Sequence, residues 1–175
     1  MDKQLILYYG GTFDPFHNGH VYVINSVLEI MKKDYFKLVI SPILHVNHKE
    51  KREMFCFDKR FNSLKEFFKN QSYTNKVDVI DWRLYDVDSS RTFDSINFLK
   101  KFIYNDYNVY FMIICGSDCL NEISLWKDYK NLLSENALLS IPRCEKSISS
   151  TKINEERLYN SSMIPLECLR YYLGD

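Results

Sequence analysis

No charge of either sign is in excess in this chain: 23 Lys and Arg face 23 Asp and Glu over 175 residues. A balanced total gives no global field to recruit nucleic acid, so any phosphate site has to be local. Lys32-Lys33 and Lys49 to Arg52 are short enough to read as solvated faces. No apolar run reaches the roughly 18 residues of a membrane span. The first residues pass straight into a strand-like run without a leader pattern. The expectation is a soluble, cytoplasmic protein with no membrane partner. Cys-x-x-Cys is missing, and the cysteines at 56, 115, 119, 144 and 168 are odd in number. That fits a reduced compartment better than a disulfide framework. Repeats, linkers and low-complexity segments are also lacking, so residues 1–175 read as a single domain. An apolar seam is not legible either, which leaves homo-oligomer formation open.

What is there is alternation. Apolar runs at Leu5–Tyr9, Lys37–Ser41, Val77–Trp82, Val109–Cys115 and Ala137–Ile141 predict five strands. Helical spacing recurs over Val21–Met31, Phe57–Phe68 and Phe93–Ile103, then over about 150–160 and 165–173, with Pro165 in a first-turn position. Strands separated by helices predict an α/β fold: a Rossmann-like doubly wound parallel sheet with helices on both faces and a C-terminal helical segment. Ligands of such a sheet bind beyond the carboxyl ends of its strands.

The first strand runs into Gly10-Gly11-Thr12-Phe13-Asp14-Pro15-Phe16-His17-Asn18-Gly19-His20, and a helix follows. Backbone N–H groups at a helix start favour an anion. Gly10, Gly11 and Gly19 lack the Cβ that would keep a polyphosphate away from the backbone. Thr12 can donate a hydroxyl, and the imidazoles of His17 and His20 add directional donors. Alone, a His-x-x-His pair is more often a cap or a core-facing pair, and a Gly-Gly is only a turn. The whole block in this order points to a phosphate cradle.

Every other polar cluster also follows a strand. Gly116 lets a nucleotide approach the backbone, Asp118 can accept from a ribose hydroxyl, and Trp126 offers a flat face for an aromatic base. Capping and core packing are the plain roles of that pair, and Cys115 reads as a small core residue. Ser149-Ser150-Thr151-Lys152 opens a helix, either as an N-cap or as an anion site. Thr92 also reads as an N-cap, and Arg60 as a solvated helix charge. His45-x-x-His48 has metal spacing without further ligands nearby, so no metal site is assigned.

The run from Gly11 to His20 resembles the His-x-Gly-His signature of the nucleotidylyltransferase superfamily. Gly116-Ser117-Asp118 with Trp126, Ile148-Ser149-Ser150-Thr151, His48-Lys49, Arg60 and Ser90-x-Thr92-x-Asp94 are similar, in order, to elements of the bacterial-type nicotinate mononucleotide adenylyltransferases. Two positions depart: Asn154 stands where that family has Arg, and Arg91 where it has Tyr. Lys152 and Arg157 are the candidates to replace the missing charge, and Arg91 is a candidate for an anionic group of the substrate. The resemblance implies transfer of the AMP part of ATP to nicotinate mononucleotide, with release of pyrophosphate. It implies His17 and His20 at the reacting phosphates, with Gly10, Gly11, Thr12, Lys49, Gly116, Asp118, Ser150 and Thr151 on ATP. Thr92, Arg91 and Trp126 would take the mononucleotide, and Mg²⁺ would be carried mainly by the ATP phosphates. Nicotinamide mononucleotide as main substrate, phosphopantetheine adenylyl transfer, cytidylyl transfer and a non-catalytic nucleotide sensor are the rival readings.

Overall fold

Five apolar runs pair side by side into one sheet. β1 (Gln4–Gly11), β2 (Phe36–Pro42), β3 (Val77–Val79), β4 (Val109–Gly116) and β5 (Ala137–Ile141) lie in the order β3-β2-β1-β4-β5. All four neighbouring pairs are parallel. The computed structural model describes residues 4–31, 36–45, 54–105, 108–142 and 148–173. The helices are α1 (Asn18–Met31), α2 (Phe57–Lys69), α3 (Thr92–Phe98), α4 (Asp118–Glu122), α5 (Tyr129–Glu135), α6 (Ser150–Glu155) and α7 (Leu166–Leu169).

The two-residue period of a strand sorts the core into two layers. Leu7 and Tyr9 of β1, with Leu38 and Ile40 of β2, face Val23, Ile24 and Val27 of α1 and Leu64 and Phe67 of α2. Ile6, Tyr8 and Val39 face the other way, onto Ile96 of α3 and Leu132 of α5. Both faces are covered, which is why the strands read as continuous apolar runs rather than alternating ones. This is the doubly wound arrangement that the alternation predicts. The strand order reverses at β1, so the loops after β1 and β4 leave in opposite directions and open a crevice between them.

Four elements differ from their sequence reading. The third strand stops at Val79 instead of Trp82. Trp82 turns into the core, where its indole N–H donates to Ser41 Oγ (3.0 Å), which also accepts from the Tyr8 hydroxyl (3.0 Å). The helix expected through Ile103 is α-helical only to Phe98 and widens to π-type turns over Leu99–Ile103. The closing helices are shorter than expected. Arg157 adopts a left-handed conformation (φ 52°) just after α6, which cannot continue a helix.

The C-terminal segment returns to the turn after β1. The backbone N–H of Phe16 donates to Tyr172 Oη (3.2 Å), Tyr172 and Ser63 share a 2.6 Å hydrogen bond, and Ser63 Oγ donates to the Arg60 carbonyl (2.8 Å). Each group in this buried chain polarises the next. Tyr172→Phe leaves the buried Phe16 N–H without its acceptor and lowers unfolding free energy in urea by about 1–3 kcal/mol. Unchanged stability contradicts this role.

Candidate active site

The turn between β1 and α1 is held from every side. Phe13 sits at positive φ (51°) and the Asp14–Pro15 peptide is cis. The rings of Phe13 and Phe16 are buried and pack edge to face. Asp14 is buried and its Oδ1 accepts from the Phe55 N–H (2.9 Å). From α6, Ser150 Oγ donates to the Pro15 carbonyl (3.1 Å) and Asn154 Nδ2 to the Asp14 carbonyl (2.9 Å).

Arg60 is the main fastening. Its guanidinium donates to the carbonyls of Thr12 (2.6 Å), Ile43 (2.9 Å) and Phe55 (3.0 Å), with a longer approach to Leu44 (3.5 Å). One side chain thus ties the loop after β1, the loop after β2 and the entry to α2. The reading of Arg60 as a solvated helix charge is corrected: the residue is 1% exposed. It shares the inward stripe of α2 with Phe57, Leu64 and Phe67, one turn from each neighbour. Burial pulls its pKa down, and the Asp14 carboxyl opposes that pull.

The histidines are locked by backbone donors. The Gly19 N–H donates to His17 Nδ1 (3.1 Å) and the His17 N–H to His20 Nδ1 (3.2 Å). An amide can only donate, so Nδ1 of each ring is unprotonated and the ring proton sits on Nε2. The two rings stack at 3.8 Å, and His20 also stacks on Phe16 at 5.5 Å. Burial among these rings, then the proximity of His17, holds the His20 pKa well below the usual histidine value. Gly19 is required by close approach: a Cβ there would lie 2.9 Å from His17 Nδ1 and Cε1.

These parts border a cleft of about 1040 Å³ at the carboxyl ends of β1 and β4. Of the residues singled out in the sequence, Gly10, Gly11, Thr12, His17, His20, Arg91, Thr92, Gly116, Asp118, Trp126 and Ser150 line it. Thr151 is exposed and lies outside its walls, and Lys49 lies outside the described residues. Ser149, not Ser150, caps α6, accepting from the Lys152 N–H (3.2 Å). Thr92 is the first residue of α3, and Arg91 holds the cap position. Trp126 is half-buried in the cleft wall rather than sealed in the core. A Cβ at Gly116 would meet nothing within 4 Å, so that backbone faces open space.

Asn154 points at the histidine turn, donating to Asp14 and accepting from the Tyr159 hydroxyl (2.8 Å). Lys152 and Arg157 are exposed, and neither lines the cleft. Sequence reading missed the ion pair of Lys127 Nζ with Asp94 Oδ1 (2.8 Å), which fixes the Trp126 loop opposite Thr92. It also missed the anchoring by Tyr172 and by Asp14, for which the Asp-Pro dipeptide was the one local signal. Arg91 Nε pairs with Asp88 Oδ2 (3.1 Å) at the cleft rim. Among the described residues, no three His, Cys, Asp or Glu side chains gather to hold a metal ion.

The low His20 pKa has a measurable sign. Below about pH 6.5 the unfolded chain takes up a proton at His20 that the folded chain refuses, so stability is present above that pH and lost as pH falls toward the folded pKa. In urea unfolding from pH 7 to pH 5, His20→Asn should flatten the acid-side slope by at most about 1.4 kcal/mol per pH unit. Equal slopes contradict the assignment.

Known proteins give the same picture. The cytidylyltransferase-like family model matches residues 8–156. The "probable nicotinate-nucleotide adenylyltransferase" of Fusobacterium nucleatum is 34% identical over 93% of this chain and 79% of its own length. The one from Clostridium tetani is 29% identical over 82% of this chain and 66% of its own. In fold, the chain is similar to Plasmodium falciparum nicotinic acid mononucleotide adenylyltransferase solved with NaAD, at TM-score 0.65 and 19% identity, over 97% of this chain and 95% of that one. A Vibrio parahaemolyticus structure described as a "putative nicotinate-nucleotide adenylyltransferase" superposes at TM-score 0.73 and 18% identity, over 98% of this chain and 99% of that one. With the histidine turn, the crevice and these relatives together, the chain belongs to the cytidylyltransferase-like family of nucleotidyltransferases, on the branch of the nicotinate-nucleotide adenylyltransferases.

Proposed function

We propose that the protein transfers the AMP part of ATP to nicotinate mononucleotide, giving nicotinate adenine dinucleotide and pyrophosphate. The observation that carries this reading is the pair of stacked imidazoles at the end of β1, each with its ring proton on Nε2, in one cleft with Trp126 and Arg91. The named activity of the Fusobacterium and Clostridium relatives supports it.

The 5′-phosphate of the mononucleotide is already a nucleophile at neutral pH. It attacks the α-phosphorus of ATP in line, a new phosphoanhydride bond forms, and the bond to the β-phosphate breaks as pyrophosphate leaves. No general base is needed, and catalysis consists of positioning and charge stabilisation. His20 donates from Nε2 to the oxygens gaining charge, and its low pKa suits a neutral donor that keeps its proton. His17 donates beside it. Gly10, Gly11 and Thr12 receive the phosphates, together with Ser150 and Lys49. Gly116 and Asp118 take the adenosine side, Trp126 stacks on the pyridine ring, and Thr92 and Arg91 border its polar edge. Mg²⁺ arrives with ATP as part of the substrate, held by phosphate oxygens and water.

Asn154 gives the sensor reading its one specific observation, because it replaces a charge and turns away toward Asp14. The test is pyrophosphate release by the purified chain with MgATP and either nicotinate or nicotinamide mononucleotide. Release with the nicotinate form in excess, falling by about 10²–10³ in kcat for His20→Ala, is the expected result. No release supports the sensor, a preference for the amide form reassigns the substrate, and full activity of His20→Ala removes that residue from the mechanism.

A further inference from the structure

Among the described residues, three side chains other than the histidines carry charge on the cleft walls: Asp118, Lys127 and Arg91. Lys127 is occupied, its Nζ donating to both carboxylate oxygens of Asp94 (2.8 and 3.0 Å) in the first turn of α3. Arg91 is bound at one end only. Its Nε faces Asp88 Oδ2 (3.1 Å), and among the described residues its two terminal nitrogens have no partner. Asp88 is itself fixed, because its Oδ1 accepts from the backbone N–H of Ser90 (3.1 Å) and from the Ser90 hydroxyl. Between them, the buried Ser89 accepts from the Leu44 N–H (2.8 Å), which fastens this turn to the loop after β2. The guanidinium is thus held by Nε and leaves its Nη groups open to a ligand. The Asp94–Lys127 pair brings the loop of Trp126 to the same end of α3, so the indole and Arg91 border one part of the cleft.

We propose that Arg91 is the specificity-determining residue that selects the acid over the amide form of the mononucleotide, its Nη edge receiving the ring carboxylate. The inference rests on the acceptor reading above, in which the pyridine ring lies on Trp126. A carboxylate offers two acceptor oxygens, and the paired N–H groups of a guanidinium edge match them in a two-pronged, charge-assisted contact. A carboxamide offers one acceptor and an NH₂ group. Its NH₂ faces an Arg N–H donor to donor, so one prong is lost and the charge is left unanswered. Selection therefore comes from a repulsive element as well as an attractive one. Asp88 supports this as a positioning residue: it holds Nε and so fixes the plane of the guanidinium before the substrate arrives. The place of Arg91 at the cap of α3, beside Thr92 and Phe93 in the cleft wall, puts the charge at the ring and away from the histidine turn. Arg91 acts on which acceptor binds, and the histidines act on the transfer.

The test measures kcat/KM for nicotinate and nicotinamide mononucleotides at saturating MgATP, in the full chain and in its Arg91→Gln and Arg91→Lys variants. In Arg91→Gln the acid-over-amide ratio should fall about 10- to 100-fold, the size of one or two lost hydrogen bonds to a charged group. The loss should lie in KM for the acid rather than in kcat, because the carboxylate is remote from the reacting phosphates and is bound alike before and during transfer. Arg91→Lys keeps the charge without the fork and should recover part of the ratio. Calorimetric binding of each mononucleotide, with Mg²⁺ and a non-reacting ATP analogue present, should show the same change in ratio. An unchanged ratio overturns the inference and leaves the acceptor reading intact. Equal losses on both forms assign Arg91 to the phosphate they share and also overturn it. A wild-type chain that neither binds nor converts either mononucleotide overturns the acceptor reading and the inference together.

Discussion

A buried guanidinium holds this site together. Arg60 reaches from α2 to carbonyls in the loops after β1 and β2 and at the entry to its own helix. Hydrogen bonds to a charged group contribute more than neutral ones, about 1.5–3 kcal/mol each. A buried cation is tolerable only when its N–H groups are met in this way. Turns rich in glycine and short of regular hydrogen bonds are otherwise the mobile part of a fold. Here Thr12 is pinned by Arg60, Asp14 by Asn154 and Phe55, Pro15 by Ser150, and Phe16 by Tyr172. The histidines inherit their precision from these contacts.

That rigidity gives the chemistry its character. Each imidazole accepts a backbone N–H at Nδ1, so the tautomer is set by the chain and not by the ligand. Packing between Phe16 and His17 penalises a charged His20. A neutral donor fixed in place before the substrate arrives needs no reorganisation when charge develops in front of it. On the far wall, the Asp94–Lys127 pair fixes the loop of Trp126 in the same manner.

The fold was legible because its signals are local. Alternating strand and helix periods recovered the five strands and their doubly wound class, and the glycine-rich histidine turn marked the crevice. Tertiary decisions were hidden. Arg60 reads as a surface charge until α2 is laid against the sheet and its position proves to face inward. The third strand loses Trp82 because a partner for its indole N–H lies in the core, on Ser41. Asn154 reads as a missing charge, yet its amide is a fastening for Asp14.

The account stands on two neutral imidazoles presenting Nε2–H into one cleft. The direct measurement is ¹⁵N NMR of the histidine side chains at pH 7, without and with MgATP. It predicts one proton per ring for His17 and His20, on Nε2, with the His20 Nε2 resonance shifting on addition of nucleotide. A doubly protonated His20, a proton on Nδ1, or no response to MgATP would contradict it.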